Sequence, residues 1–193
     1  NALADFRVGE GFAVTEHAYG VETYFTAEFG QGRPRIGILG EFDALSGLSQ
    51  KAGLAEKEAR LPGANGHGGG HNLLGAGSVA AALAVKKYLE DGHQGTVVYY
   101  GCPGEEGGSG KAFMARGGAF KDLDCALTLH PGVVTAVSKD SSLANFQVLY
   151  SFKGISAHTA GCPDMGRTAL ASPPRRTVGT HLPRLQPPHT PAP

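Results

Sequence analysis

The sequence predicts an α/β protein, with a mostly parallel sheet flanked by helices. Three observations predict it. Short apolar runs recur at residues 36–39, 96–100 and 124–129, and runs of that length with turn residues at their ends read as buried strands. An Ala-rich apolar segment, residues 73–90, lies between the first two runs, and a shorter helical stretch, residues 110–115, lies between the second and third. Strand, helix, strand, helix, strand with right-handed crossovers makes neighbouring strands parallel.

Taken in order, residues 1–10 are mixed and carry no pattern. Residues 12–15 and 21–29 alternate apolar with polar and read as strands, the second with one solvated face. Residues 31–34 form a turn, and the strand at 36–39 leads into Glu41 and Asp43. Acids at a strand end have two readings. They are ordinary loop acids, or Asp43 orients a histidine that holds a metal. Residues 46–60 are polar, with a short helix-like Ala-Glu-Lys-Glu-Ala piece. The helix at 73–90 takes Asn72 as its N-cap, because the amide oxygen can accept from the first-turn N–H groups, and Asp91-Gly92 stops it. The helix at 110–115 ends at Gly117-Gly118. Beyond residue 133 the pattern changes: 143–152 alternates like an antiparallel strand, and 166–170 reads as the first turn of a helix. Residues 172–193 hold seven of the twelve prolines and no acid, so a disordered tail is expected there. The expected division is therefore 1–138, the first part of a catalytic domain, then 139–171, the start of a second domain, then the tail 172–193.

Composition excludes several functions. Lys plus Arg number 17 and Asp plus Glu number 17. A balanced chain lacks the basic excess that non-specific binding to nucleic acid or a membrane surface requires. No apolar run approaches the roughly 18 residues of a membrane-spanning helix, and no leader pattern is visible. The three cysteines, Cys102, Cys125 and Cys162, are widely spaced without a CxxC. That usage suits a reducing compartment, so a cytoplasmic protein is expected. A chain opening on Asn1 is expected to be a piece of a longer protein.

The chemistry centres on residues 63–72, Gly-Ala-Asn-Gly-His-Gly-Gly-Gly-His-Asn. His67 and His71 stand among glycines just before the long helix. A histidine pair alone is a weak motif, and two solvated histidines would read the same way. Downstream, Glu105-Glu106 follows one apolar run and His130-Pro131 follows another. Histidine, paired carboxylates and histidine, each at the end of an apolar run, is the layout of a metal site built from loops at one edge of a sheet. Other motifs fail. Ala112 follows Gly110-Lys111, which breaks a phosphate-binding loop. Lys111 takes the place of the last glycine that a nucleophile elbow at Ser109 needs, which leaves the His67-Gly-Gly-Gly70 segment without a serine to serve as an esterase oxyanion loop.

Taken together and in order, Gly40-Glu-Phe-Asp-Ala-Leu45, Gly66-His-Gly-x-Gly-His-Asn-Leu-Leu-Gly75, Gly101-Cys-Pro-x-Glu-Glu-Gly-Gly-Ser-Gly-Lys111, Leu129-His-Pro131 and Gly154-x-x-Ala-His158 resemble the metal-dependent amidohydrolases of the aminoacylase/carboxypeptidase superfamily. Within it they resemble the aminobenzoyl-glutamate hydrolase B-subunit type. The resemblance implies a catalytic α/β domain with two divalent metals, zinc or manganese, and a smaller lid and dimerisation domain. It implies His71, Glu106 and His130 as metal ligands and Glu105 as the general base that takes a proton from the attacking water. It implies that His158, on the lid, donates to the developing oxyanion, in its own site or that of a partner copy. The implied substrate is an N-acyl or N-aroyl amino acid, and the implied assembly a homodimer or hetero-oligomer formed through the lid.

The pattern is broken in three places. Gly69 stands where the family carries a cysteine thiolate ligand. The resemblance stops after Leu170. The family's later strands and last histidine ligand have no counterpart here. Two expectations follow: an amidohydrolase, or an inactive truncated remnant that binds at most one metal weakly.

Overall fold

The structure is a computed structural model that describes residues 9–138, 141, 149–158, 160–167 and 169. The chain divides into two compact units, Asn1–Asp140 and Ser141–Pro193.

The first unit is built on a five-stranded sheet: β1 (Ala13–Glu16), β2 (Phe25–Gln31), β3 (Arg35–Glu41), β4 (Gly95–Cys102) and β5 (Cys125–Thr128). Helix α1 (His71–Glu90) joins β3 to β4, and α2 (Glu105–Gly108) and α3 (Gly110–Arg116) join β4 to β5. The strand order is β1-β2-β4-β3-β5. β4, β3 and β5 are parallel, as the sequence predicts, while β1 and β2 run antiparallel at one edge, so the sheet is mixed. β2 and β3 are consecutive in the chain, yet β4 lies between them. The first residues of β4 are gripped by the connecting turn: Thr96 N–H donates to Pro34 O at 2.9 Å, and Thr96 Oγ1 donates to Gly32 O at 2.8 Å.

β4 is buried along its whole length. Its alternate residues feed two cores, because successive strand side chains point to opposite faces. Val97 and Tyr99 join Ile38, Phe25 and the α1 residues Val79 and Ala82 on one face. Val98, Tyr100 and Cys102 join Met114 and Tyr24 on the other. On α1 the buried positions are His71, Leu74, Gly75, Ser78, Val79 and Ala82, the i, i+3, i+4 recurrence of one helical face. Burying Leu74 completely stabilises by about 1.5–3 kcal/mol over leaving it exposed. Ser78 Oγ donates to Leu39 O at 3.0 Å and ties the helix to β3.

Four local expectations change. Asn72 is not the N-cap: α1 starts at His71, and Gly70, at φ 84°, is the cap, with its carbonyl accepting from the Leu73 and Leu74 N–H groups. Glycine takes that left-handed turn without steric cost, which places His71 one residue earlier in the helix. β2 starts at Phe25 rather than residue 21, because Tyr24 N–H donates to Val21 O in a turn. The Ala-Glu-Lys-Glu-Ala piece is not helical. There Gln50 donates to Glu56 O and accepts from Glu58 N–H, so a side-chain amide takes the partners a helix would use. Residues 166–170 do not begin a helix over their described part, since Arg167 bridges Ile155 in antiparallel fashion. Most of the strand expected at 143–152, and the tail 172–193, lie outside the described residues.

Cys102 is fully buried, while Cys125 and Cys162 are exposed, and all three are free. Burial pushes the Cys102 thiol up to about 12, so it is protonated at neutral pH and is no soft anionic ligand. A disulfide-exchange reagent at pH 8 is expected to titrate two thiols quickly in the native protein and the third only after denaturation. Fast reaction of all three would contradict this packing.

Candidate metal centre

The C-terminal ends of β3, β4 and β5 share one edge of the sheet. The chain passes from β3 to β4 on one side and then crosses to β5 on the other. In an open α/β sheet such a reversal leaves a crevice beyond the strand ends. Glu41 ends β3 and Asp43 lies two residues on. Glu105 and Glu106 follow β4, and His130 follows β5. His71, the first residue of α1, meets them.

His71 is 2% exposed and stands at the centre. Its Nδ1–H donates to Asp43 Oδ1 at 3.0 Å, since a carboxylate can only accept. That leaves Nε2 as the ligand-bearing nitrogen. Around Nε2 lie Glu41 Oε2 at 3.0 Å, Glu105 Oε2 at 3.8 Å and Glu106 Oε1 at 4.0 Å. The other Asp43 oxygen accepts the Glu106 N–H at 2.9 Å, so one carboxylate sets both the histidine and the Glu106 backbone. Burial pushes the Asp43 carboxyl up, but N–H bonds from Glu106, its own amide and Glu105, together with His71, outweigh burial and hold it below the ordinary value. Asp43 therefore adds stability above its unfolded value, about 3.9, and that contribution is lost as pH falls through the folded value.

The His130 ring lies 5.7 Å from the His71 ring, edge to face. His130 Nδ1–H donates to Pro131 O at 3.0 Å, which leaves Nε2 to accept. Two loops must approach closely for this. A Cβ at Gly70 would lie 2.9 Å from Pro131 Cγ, so a side chain there would push the His130 loop away. Among the described residues, two groups offer ligand atoms within 4.8 Å of one another: Glu41, His71 and His130, and His71, Glu105 and Glu106.

Of the residues singled out in the sequence, His71, Glu105, Glu106, His130 and Asp43 come together. His67 is exposed and belongs to neither ligand group. His158 lies in the second unit, exposed, with Nδ1 accepting the Gly161 N–H at 2.9 Å. Sequence reasoning gives Glu41 and Lys111 no place in the site. The signal for Glu41 is its spacing: it stands two residues before Asp43 at the same strand exit. Gly69 is half-buried beside the cluster. A Cβ built there would lie 2.7 Å from Glu106 Oε1 and 3.8 Å from His71 Nε2, so Glu106 fills the space next to it.

The residues present suit a divalent cation. Imidazole nitrogens and carboxylate oxygens converge, and the buried Glu41 Oε2 has no hydrogen bond. Asp43→Asn is expected to weaken divalent-ion affinity about 10- to 100-fold, the usual cost of losing the group that orients a ligand histidine. Competition against a chelating dye would measure it, and an unchanged affinity would remove Asp43 from this role.

The class that fold and sequence define is the metal-dependent amidohydrolase and carboxypeptidase superfamily, to which the chain belongs by homology. Its relatives are hydrolases. The chain is 53% identical to the second of the named subunits of p-aminobenzoyl-glutamate hydrolase from Escherichia coli, over 93% of its own length and 38% of that protein's. It is 32% identical to human Xaa-Arg dipeptidase over 82% of its length and 35% of the dipeptidase. The chain thus spans a little over a third of the curated relatives it matches. No family model matches it. In fold it is similar to a Bacillus subtilis dinuclear metal binding peptidase from the M20 family, with TM-score 0.58 and 20% identity over 68% of this chain and 36% of that one. It is also similar to the aminobenzoyl-glutamate utilization protein of Klebsiella pneumoniae, with TM-score 0.58 and 18% identity over 98% of this chain and 52% of that one.

Proposed function

We propose that this chain carries the metal-binding part of an amidohydrolase that cleaves the amide bond of an N-acyl or N-aroyl amino acid, with p-aminobenzoyl-glutamate as the model substrate. The observation that carries the reading is the convergence of Glu105, Glu106 and His130 on His71, whose tautomer Asp43 sets. His71, Glu106 and His130 would hold the cation. A divalent ion, zinc or manganese, supplies a positive charge that polarises the amide carbonyl and acidifies water.

The two adjacent acids divide the remaining work by their surroundings. Glu106 has its backbone N–H tied to Asp43, and its side chain is 27% exposed. A pinned, sheltered carboxylate suits ligation. Glu105 is 43% exposed and faces the same nitrogen from the solvent side, where its carboxylate can take a proton from the attacking water and pass it to the leaving amine. We assign the second unit to the start of a lid, with His158 as the donor to the oxyanion, and the assembly to a homodimer or hetero-oligomer formed through it. No helix among the described residues is long and apolar enough to cross a membrane. The free cysteines accord with a cytoplasmic location.

One observation favours a second reading, a chain that binds metal without turnover: Gly69 offers no ligand atom. Hydrolysis of p-aminobenzoyl-glutamate, followed by release of the aromatic amine with and without chelator, separates the two. Chelator-sensitive release supports the amidohydrolase, and metal binding without release supports the second reading.

A further inference from the structure

The least satisfied polar group near the centre is Glu41, which is 7% exposed. Its Oε1 pairs with Lys111 Nζ on α3. Its Oε2 is sealed from solvent and makes no hydrogen bond. An anionic oxygen left so is costly. His71 Nε2 lies 3.0 Å away, but the Nδ1 proton already serves Asp43, so Nε2 presents a lone pair. Two acceptors face each other at hydrogen-bond distance, an arrangement a cation resolves. His130 completes the group, for Glu41, His71 and His130 each offer an atom within 4.8 Å of the others.

We propose that Glu41 is a direct metal ligand, supplying through Oε2 the negative charge that residue 69, a glycine here, cannot. Lys111 is its positioning residue: it occupies Oε1 and turns Oε2 toward His71. A residue at 69 would bring its Cβ within 2.7 Å of Glu106 Oε1, so the charge in this corner comes from carboxylates. The resulting ligand set is nitrogen and oxygen only, as expected for a centre that favours harder ions than a thiolate site does. The assignment rests on the metal-centre reading above.

The test is a cobalt(II) titration of the chelator-stripped full chain, read by native mass spectrometry and visible absorption. Glu41→Gln keeps the shape and removes the charge, and it is expected to weaken cobalt binding at least about 10-fold. Adding Gly69→Cys to that variant is expected to restore binding and to introduce a thiolate-to-cobalt charge-transfer band that the parent lacks. Glu41→Asp keeps the charge but withdraws the carboxylate by one methylene, and it must also weaken binding, which covers the case of a Gln variant that does not fold. Unchanged affinity in a folded Glu41 variant overturns the assignment and leaves the metal centre standing. A parent chain that binds no cobalt overturns both.

Discussion

Glu105→Ala is expected to lower the rate of p-aminobenzoyl-glutamate hydrolysis by about 10²- to 10⁴-fold, the span that positioned proton transfer contributes, while bound metal is retained. The reason lies in the arrangement of the two acids. Glu106 is anchored through its N–H to Asp43, whereas Glu105 is the more exposed and has no such tether. Removing Glu105 takes away the proton acceptor and leaves the Glu41, His71 and His130 atoms in place. Rate and metal content measured on the same preparation decide it. A parallel loss of metal would make Glu105 a ligand, and an undiminished rate would remove it from the chemistry. Glu105→Gln distinguishes charge from shape, and it is expected to be as slow as the alanine variant.

The second large effect concerns His71 and stability. Four carboxylates, Glu41, Asp43, Glu105 and Glu106, surround or abut one buried imidazole, and Lys111 neutralises only one of them. Without a cation the like charges repel, so a bound ion stabilises the folded chain. An ion at about a hundred times its Kd adds about 2.7 kcal/mol by mass action. For a chain of 193 residues that raises Tm by about 5–10 °C. His71→Ala is expected to abolish the rise, because both ligand groups share His71. Thermal scans with zinc, with manganese and with chelator, on folded parent and variant, measure it. A variant that still shows the full rise would place the ion elsewhere.

Much of this protein was legible in residue order. The span of α1, the buried run of β4 and the short strand before His130 follow from local composition, because apolar length and period depend on near neighbours. The ligand types were legible too, since His71, Glu105-Glu106 and His130 each stand where an apolar run begins or ends. Parallel strands carry such exits to one edge whatever their order.

The tertiary structure alone decided three things. It inserted β4 between β2 and β3, a pairing that depends on contacts far apart in sequence rather than on the turn that joins the two strands. It made Gly70 the cap in place of Asn72, because the start of α1 is set by the left-handed turn and the close approach of Pro131. It also aimed Glu41 inward, beside Lys111 and His71. An acid at a strand end carries no local sign of which way it points. Its direction follows from the helix packed across the strand ends and from the charges that helix brings.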